Sequence, residues 1–304
     1  MQSLSSFRSL LLLIIVCVGT SLLQTGCDII EAPYLDPEYL AQLPADEKCE
    51  LDAAKISPFP AGQPITKKVL LEEMTGHKCG NCPVASETAY DLSHSAFADQ
   101  VVLVVIHAGS LSDFSPSSSK FYTDFTTTAG TEIYTGLNPS GVVPFGMIDR
   151  SVKNSNHGSW PTEVGKRLQE SPTAGLRIFN CLDEDSLQLG TVIDVKYLQP
   201  MNENQRLCVW LIETEVVDWQ RDYRAPGGKV DLAEYTHHNV FRASLNGSWG
   251  EALSESAIES NQRFTKSYSL KINPDFNLDN LKIVAFVYDF DTQEIGQVEQ
   301  LSLR

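Results

Sequence analysis

The order of apolar and polar positions divides the chain into regions of different periodicity. A predicted strand that opens with Val69-Leu70-Leu71 and ends near residue 74, and an apolar run at 101–106, flank a helical pattern that starts at Pro83. Proline is well suited to a first helical turn, and an unbroken apolar run is typical of a strand that is buried on both faces. Strand, helix and strand in this order predict a right-handed crossover onto a parallel sheet.

Beyond Pro172 the apolar positions alternate with polar ones. This period of two predicts six strands, near residues 175–181, 187–197, 206–216, 264–272, 281–288 and 294–302. Strands separated by turn segments favour an antiparallel sandwich of the immunoglobulin-like type. Residues 218–260 interrupt the pattern and predict no clear element.

Between these regions, residues 109–140 are rich in Ser, Thr and Gly, with a predicted helix at 118–125. A strand at 142–149 and a helix at 161–168 follow. The chain length favours two domains. We therefore expect an α/β domain at 66–171 and an all-β domain at 172–304.

The first 65 residues differ from both predicted domains. Residues 10–18 are too short an apolar run to span a bilayer and are typical of a secretory signal at 1–26. Gly26-Cys27 follows, which favours a bacterial lipoprotein signal with Cys27 as the acylated (palmitate-bearing) residue, although Gln24 departs from the usual aliphatic residue. Residues 27–65 would then be the anchor and tether, and the membrane would be reached through lipid.

The charge of the chain excludes one class of partner. The formal net charge is −16, with 42% hydrophobic and 20% charged residues. An acidic surface without a basic run repels nucleic acid, so no nucleic-acid partner is expected. The composition is that of an ordinary globular protein.

Seven cysteines are present, and export would place them where disulfides persist. Cys181 and Cys208 fall in predicted strands of one domain. They form either a bridge across the sandwich or two buried thiols. Cys49 lies in the tether, and its partner stays open.

The strongest candidate for chemistry is Cys79-Gly80-Asn81-Cys82, between the first strand and the first helix. Such a motif can be half of a zinc site, but no second Cys or His pair follows at matching spacing. His237-His238 is better explained as an incidental pair, because adjacent residues on one element point apart. We expect neither a metal nor a cofactor.

A dithiol at a helix N-terminus is suited to redox chemistry. The positive end of the helix dipole favours thiolate over thiol, and Lys78 with His77 would add positive charge. Cys79 is expected to be the exposed nucleophile. Cys82, one turn further on, is expected to be more buried and to resolve the mixed disulfide.

The strand, dithiol and helix resemble those of thioredoxin-like proteins, and this resemblance implies two further site residues. Glu73, six residues before Cys79, matches the acidic residue that relays a proton to the buried cysteine. An alternative is that Glu73 points to solvent at a strand end. Pro144 in the Val-Pro step matches the cis proline that lies opposite the dithiol and helps to bind an extended substrate.

A second resemblance extends over much of the chain. The segments LEEMTGHKCGNCP at 71–83, HNVFRA at 238–243 and NLKIVAFVY at 280–288 resemble the 28-kDa outer membrane protein family. That resemblance implies export, an outer-membrane lipid anchor, and a thioredoxin-like domain followed by a β-rich one. Met74 stands where these motifs usually carry an aromatic residue. Lys78 and Gly80-Asn81 differ from thioredoxins proper, so reductant behaviour is not implied.

Two functions therefore stay open at this point. The first is a thiol–disulfide oxidoreductase that acts on protein thiols or disulfides, or on a redox partner protein, through Cys79. The second is an outer-membrane or surface binding module, such as an adhesin, in which Cys79–Cys82 is a structural disulfide without catalysis.

Overall fold

A mixed nine-stranded sheet and a smaller three-stranded sheet form the framework of the chain. The computed structural model describes residues 51–304, except 61, 95–96 and 225–226. These residues belong to one compact unit. The predicted signal, Cys27 and Cys49 lie outside them. The helices are α1 (Cys82–His94), α2 (Thr128–Leu137) and α3 (Trp160–Arg167).

Twelve strands are present in the described residues. They are β1 (Val69–Thr75), β2 (Val101–His107), β3 (Phe145–Ile148), β4 (Val152–Asn154), β5 (Ala174–Asp183), β6 (Gln188–Tyr197), β7 (Gln205–Asp222), β8 (Val230–Ser244), β9 (Glu251–Ala252), β10 (Arg263–Lys271), β11 (Leu281–Asp289) and β12 (Ile295–Ser302).

The first half of the chain forms the predicted parallel crossover. β1 pairs with β2 in parallel and with β3 in the antiparallel sense, and the local strand order is β2-β1-β3-β4. All seven residues of β1 and of β2 are buried. Helices α1 and α3 cover one face through a cluster that includes Val69, Leu103, Ala85 and Val164. The apolar run of β2 thus reflects burial on both faces, whereas β1 buries Glu72 and Glu73 together with its apolar residues.

The large sheet continues across residue 171, where the sequence predicted a domain boundary. Its strand order is β12-β11-β7-β8-β2-β1-β3-β4, with β9 paired to β7. The two halves meet where Val105 of β2 pairs with Val240 of β8. An immunoglobulin-like sandwich with two sheets of its own was expected. Instead, one of its layers is shared with the first half of the chain.

The second layer is the small antiparallel sheet β10-β6-β5. It packs against β7 and β11 through a cluster that includes Ile178, Ile193, Leu211 and Ile283. On the opposite face of β7, Trp210 packs with Phe241 and Phe286 in a second cluster that extends to β1 and β2. β7 is therefore buried on both faces over this stretch.

The segment between β2 and β3 differs from its prediction. The helix expected at 118–125 is not formed, and Phe121 has a φ of 54°, which a right-handed helix excludes. The helix occurs later, as α2, where the Thr127 side chain accepts a hydrogen bond from the Gly130 N–H. No helix in the described part of the chain is long and apolar enough to cross a membrane.

The C-terminal part of the predicted tether is packed on the small sheet. Ile56 is buried, and the carbonyl of Ser57 accepts hydrogen bonds from Arg177 and Arg263. Both arginines also pair with Asp194, which is buried on β6. Because the Ser57 carbonyl accepts hydrogen bonds from these two arginines, residues 56–59 belong to the folded unit and not to a free linker.

One ion pair lies fully inside the large sheet. The Arg150 guanidinium donates two hydrogen bonds to the Glu72 carboxylate, at 2.9 and 2.8 Å, and neither side chain is exposed. The guanidinium also lies over the Phe286 and Tyr288 rings, each about 5.1 Å away. The pair therefore connects β1 to strands of the second half of the chain.

Removing one partner of this pair should be costly. We expect Arg150→Met to lower the free energy of unfolding by about 3–5 kcal/mol, because Glu72 would be left as an unpaired buried charge. The double variant Glu72→Leu/Arg150→Met should recover most of that loss. Urea unfolding at neutral pH measures both changes.

The exposed pair between Lys166 and Glu163 provides the control, since Lys166 is 65% exposed. Lys166→Met should change the free energy of unfolding by less than about 1 kcal/mol. If Arg150→Met cost no more than this control, the buried pair would have no special role in stability.

Candidate functional site

The dithiol lies in the loop between β1 and α1. Cys79 and Cys82 form a disulfide with an S–S distance of 2.11 Å and a Cα–Cα distance of 5.4 Å. Cys82 is the first residue of α1. Gly76 begins the loop because the backbone passes close to Leu111. A Cβ at this position would lie 2.5 Å from the Leu111 carbonyl oxygen.

The Val143–Pro144 peptide bond is cis, as the resemblance implied. It immediately precedes β3, which pairs with β1. The pairing brings this step next to the dithiol loop, and the Cys79 sulfur lies 3.8 Å from the Val143 carbonyl oxygen. Two residues 64 positions apart in the chain thus form one site.

Glu73 is buried beneath the helix that carries Cys82. Its side chain is fully enclosed, and the hydroxyl of Ser86 on α1 donates a 2.7 Å hydrogen bond to Oε1. Burial raises the pKa of Glu73 to about 8, because the effect of burial is larger than the opposing effect of the Ser86 hydrogen bond. The alternative interpretation, a carboxylate that points to solvent, is therefore wrong. Glu73 holds a proton at neutral pH.

A long hairpin from the second half of the chain covers the dithiol loop. We call its outer part, residues 215–224 and 227–238 in β7, β8 and the connection between them, the arm. The Arg221 N–H donates to the His77 carbonyl at 2.8 Å, and the Tyr223 N–H donates to the Gly80 carbonyl at 3.0 Å. The buried Gln220 side chain donates to the Cys79 carbonyl at 3.0 Å. These contacts fix the loop from outside.

The arm also determines how accessible the cysteines are. Cys79 is 2% exposed and Cys82 is 1% exposed, so the prediction of an exposed Cys79 is wrong. The Tyr223 ring lies so close to Gly80 that a Cβ there would be 2.4 Å from a ring carbon. Gly80 is thus required by the approach of the arm.

His77 does not add positive charge to the dithiol, contrary to the prediction. Burial lowers its pKa, so its imidazole is neutral at pH 7. Its Nε2 lies 3.0 Å from the Asp113 carbonyl oxygen, and its ring packs near Phe121 and Phe125. The Lys78 ammonium lies 5.9 Å from the Phe121 ring centroid. The local positive field therefore comes from Lys78 and the helix N-terminus.

Both alternatives for Cys181 and Cys208, a bridge between them or two buried thiols, are wrong. Cys208 is a free, fully buried thiol, whereas Cys181 is disulfide-bonded. The alternation of side chains explains this: Cys208 faces the cluster around Trp210, while its neighbours Leu207 and Val209 face the small sheet. Burial raises the pKa of Cys208 to about 12, so it is unreactive as a nucleophile.

The sequence pattern missed Ser86 and every contribution of the arm. The arm lies in the region where alternation was not recognised, and register shifts near Leu211 and Asp218 explain why its period is broken. Among the described residues, no group of three or more His, Cys, Asp or Glu side chains could hold a metal ion.

The buried proton on Glu73 has a measurable consequence for stability. Between the ordinary carboxyl pKa of 4.5 and about 8, the folded state holds a proton that the unfolded state has lost. Stability due to this group therefore falls as pH rises through that window, by at most about 1.4 kcal/mol per pH unit. Glu73→Gln should remove this slope, as urea unfolding at several pH values would show. Equal slopes in both proteins would contradict a raised pKa.

The cover over the dithiol can be tested independently. Tyr223 is 47% exposed, so about half of its side chain is packed. Tyr223→Ala should therefore lower the free energy that holds the arm closed by about 1–2 kcal/mol. Reduction of the disulfide by dithiothreitol should then be about 5–30-fold faster, because the open form is more populated. Phe290→Ala, at a 40% exposed position in the turn between β11 and β12, is the matched control. Equal reduction rates in both variants would show that the arm does not limit access.

The fold is similar to that of a solved structure. HBP35 of Porphyromonas gingivalis has a similar fold, with a TM-score of 0.59 and 16% sequence identity over 79% of this chain and 76% of that one. A protein of Agrobacterium tumefaciens matches 80% of this chain and 97% of its own, at 11% identity and a TM-score of 0.47. A domain of the outer membrane lipoprotein Omp28 from P. gingivalis covers 44% of this chain and 89% of its own, at 18% identity and a TM-score of 0.28. A comparison with curated protein sequences gives no match.

The family assignment comes from the sequence of the second half. The family model described as outer membrane protein Omp28 matches residues 133–304, which include Pro144 and the arm and begin after the dithiol. This match covers more than half of the chain. The chain therefore belongs to the Omp28 family, and its location is the bacterial outer membrane.

Proposed function

We propose that this protein is a lipid-anchored, thioredoxin-like thiol–disulfide oxidoreductase that acts on protein substrates through Cys79 and Cys82. The observation that carries the proposal is the position of this pair: it begins helix α1, has cis Pro144 beside it, and lies above the buried Glu73. Each of these features serves a step of disulfide exchange.

The location of Cys79 favours attack by its thiolate. Free N–H groups at a helix N-terminus and the positive dipole end stabilise a negative charge, and Lys78 lies next to it in the chain. In such surroundings a cysteine pKa falls to about 3.5–7.5. Cys79 would attack a substrate disulfide, and Cys82 would then displace the substrate from Cys79.

Glu73 provides the acid–base group for the second step. Cys82 must lose its proton before it can attack, and it lies one helical turn before Ser86, which contacts Glu73. A buried carboxyl with a pKa near 8 can accept and return a proton close to neutral pH. The positive electrostatic field would thus act on the Cys79 sulfur, and Glu73 would act on the Cys82 sulfur.

The second half and the N-terminus would determine where this chemistry occurs. The Gly26-Cys27 signal supports acylation of Cys27, hence attachment to the outer membrane through lipid. Residues 56–59 pack on the small sheet, so the anchor would be linked to that layer. The partners would be protein thiols and disulfides in the same compartment.

A second function is supported by a different observation. Both cysteines are buried under the arm, which is also typical of a structural disulfide. In that case the protein would be an outer-membrane binding or adhesion module, with the β layers as its surface. Exchange activity distinguishes the two functions.

Trapping of partners tests the oxidoreductase. Cys82→Ser cannot resolve a mixed disulfide, so proteins bound to Cys79 should accumulate and be released by reductant on a gel. Cys79→Ser/Cys82→Ser, which lacks the nucleophile, should trap none, and Cys208→Ser/Cys82→Ser should trap as much as Cys82→Ser. If Cys82→Ser traps no partner in the native host and the wild type does not reduce insulin, the structural module is the correct function.

A further inference from the structure

Glu73 can act repeatedly only if its proton can reach solvent, yet its side chain is sealed. Oε1 is held by Ser86, and Oε2 has no hydrogen-bond partner among the described residues. On the other side, β2 and β3 place Val105 and Gly146 opposite Glu73, and neither carries a polar side chain. A route for the proton must therefore start at Ser86 or at the free carboxylate oxygen.

A small internal cavity lies beside Ser86, beneath the arm. Its volume is about 10 Å³, which is room for roughly one water molecule. Seven of its lining residues have polar side chains that come from β1, α1, β2 and both strands of the arm: Thr75, Ser86, His107, Gln220, Tyr235, His237 and His238. A polar cavity of this size is suited to an internal water molecule, unlike an apolar void.

Two histidines in the cavity wall are in the protonation state that a relay needs. The His107 and His237 ring centroids are 5.3 Å apart, and neither ring nitrogen of His107 has a hydrogen-bond partner among the described residues. Burial lowers the pKa of both, that of His237 to about 3. A neutral imidazole has one donor and one acceptor nitrogen, so it can pass a proton without becoming a lasting buried charge.

Tyr235 belongs to the arm and lines the same cavity as Ser86. Burial raises the pKa of Tyr235, and the negative charge of Glu73 acts in the same direction. Ser86 thus bonds to Glu73 and shares the cavity wall with Tyr235. Tyr235 is half-buried on β8 and also packs edge-on against His237, with 4.9 Å between the ring centroids.

Charged groups surround this cluster only at its margins. Arg224 pairs with Glu87 and Asp222 on the surface side of α1, and Arg242 lies on the far side of the two histidines, where it pairs with Glu213.

His238, half-buried next to Tyr90, lines the outer part of the cavity, and Glu215 and His94 act on its pKa. Lys78 and the buried His77 lie on the dithiol side.

We propose that Ser86, Tyr235 and the cavity between His107 and His237 form the proton route of Glu73. The proposal rests on the relay role given to Glu73 in the proposed function and assigns a positioning role to side chains of the arm. Two of the residues that complete the dithiol site, Tyr235 and His237, then come from the second half of the chain.

The exchange step is balanced by this route. When the Cys82 sulfur attacks Cys79, the bond between Cys79 and the substrate breaks, the Cys79–Cys82 bond forms, and the substrate leaves as a thiolate. The two protein sulfurs are oxidised and the substrate disulfide is reduced. Glu73, which is protonated at neutral pH, first releases its proton through Ser86 and Tyr235 to the cavity and solvent. The resulting carboxylate then accepts the Cys82 proton.

The rate of proton transfer to Glu73 tests the route without any substrate. The full-length protein with its disulfide closed is taken rapidly through a pH step across pH 8, and the infrared carboxyl band of Glu73, assigned with Glu73→Gln, is followed in time. We expect Tyr235→Phe to slow the relaxation by about 10-fold while the titration midpoint stays the same. Ser86→Ala should slow it similarly and also raise the midpoint, because a donor to the carboxylate is lost.

Two controls separate the route from structural effects. Ser86→Thr keeps the hydroxyl and should restore the wild-type rate. Tyr268 lies on β10 of the small sheet, and its hydroxyl donates a hydrogen bond to Glu251. Tyr268→Phe should leave the relaxation rate unchanged. Unchanged rates in Tyr235→Phe and Ser86→Ala, or a shifted midpoint at an unchanged rate in both, would overturn the proposal.

The outcome does not depend on the oxidoreductase activity. If the relaxation slows as expected but Cys82→Ser traps no partner, the route exists and the proposed function is wrong. If partners are trapped and the relaxation is unchanged, the function stands and the route is wrong. Tyr235→Phe keeps the ring that packs on His237. If Ser86→Ala fails to fold, the relaxation rate of Tyr235→Phe by itself tests the route.

Discussion

The structure depends on how β1 accommodates two adjacent carboxyl groups inside a sheet that is buried on both faces. Alternation points Glu72 and Glu73 to opposite faces. A buried charge must be paired or neutralised. Glu72 is paired with Arg150, which ties β1 to strands of the second half, whereas Glu73 is neutralised by a proton. One strand thus carries a structural carboxylate and a titrating acid.

The same strand shows how side chains from the two halves of the chain pack together. Trp210, Phe286 and Tyr288 come from the β-rich half, yet they pack around Arg150 and the even-numbered face of β1. The arm makes the corresponding contacts at the dithiol loop, where Gln220, Arg221 and Tyr223 hold three carbonyl groups. The family match to the second half therefore includes the residues that cover the dithiol, although it begins after the dithiol itself.

Burial of the dithiol gives the arm a central place in both proposed functions. In an oxidoreductase the arm would set the access of substrate to Cys79 and would supply Tyr235 and His237 to the relay. In a structural module the same contacts would protect the disulfide from reductants. The two functions would differ in how often the arm opens. About one or two kcal/mol of packing at positions such as Tyr223 would set the population of the open form.

The sequence by itself determined the local elements and the dithiol. The start Val69-Leu70-Leu71 predicted β1, the apolar run at 101–106 predicted β2, and alternation predicted most strands after residue 172. The resemblance to thioredoxin-like proteins placed Glu73 and cis Pro144. Tertiary structure alone decided the single large sheet, the left-handed Phe121, the free Cys208 and the burial of Cys79. Periodicity reports which face of one strand is buried, but not which distant strand covers it. The arm reaches the dithiol from about 140 residues away, with a register broken by bulges, and no local pattern encodes that contact.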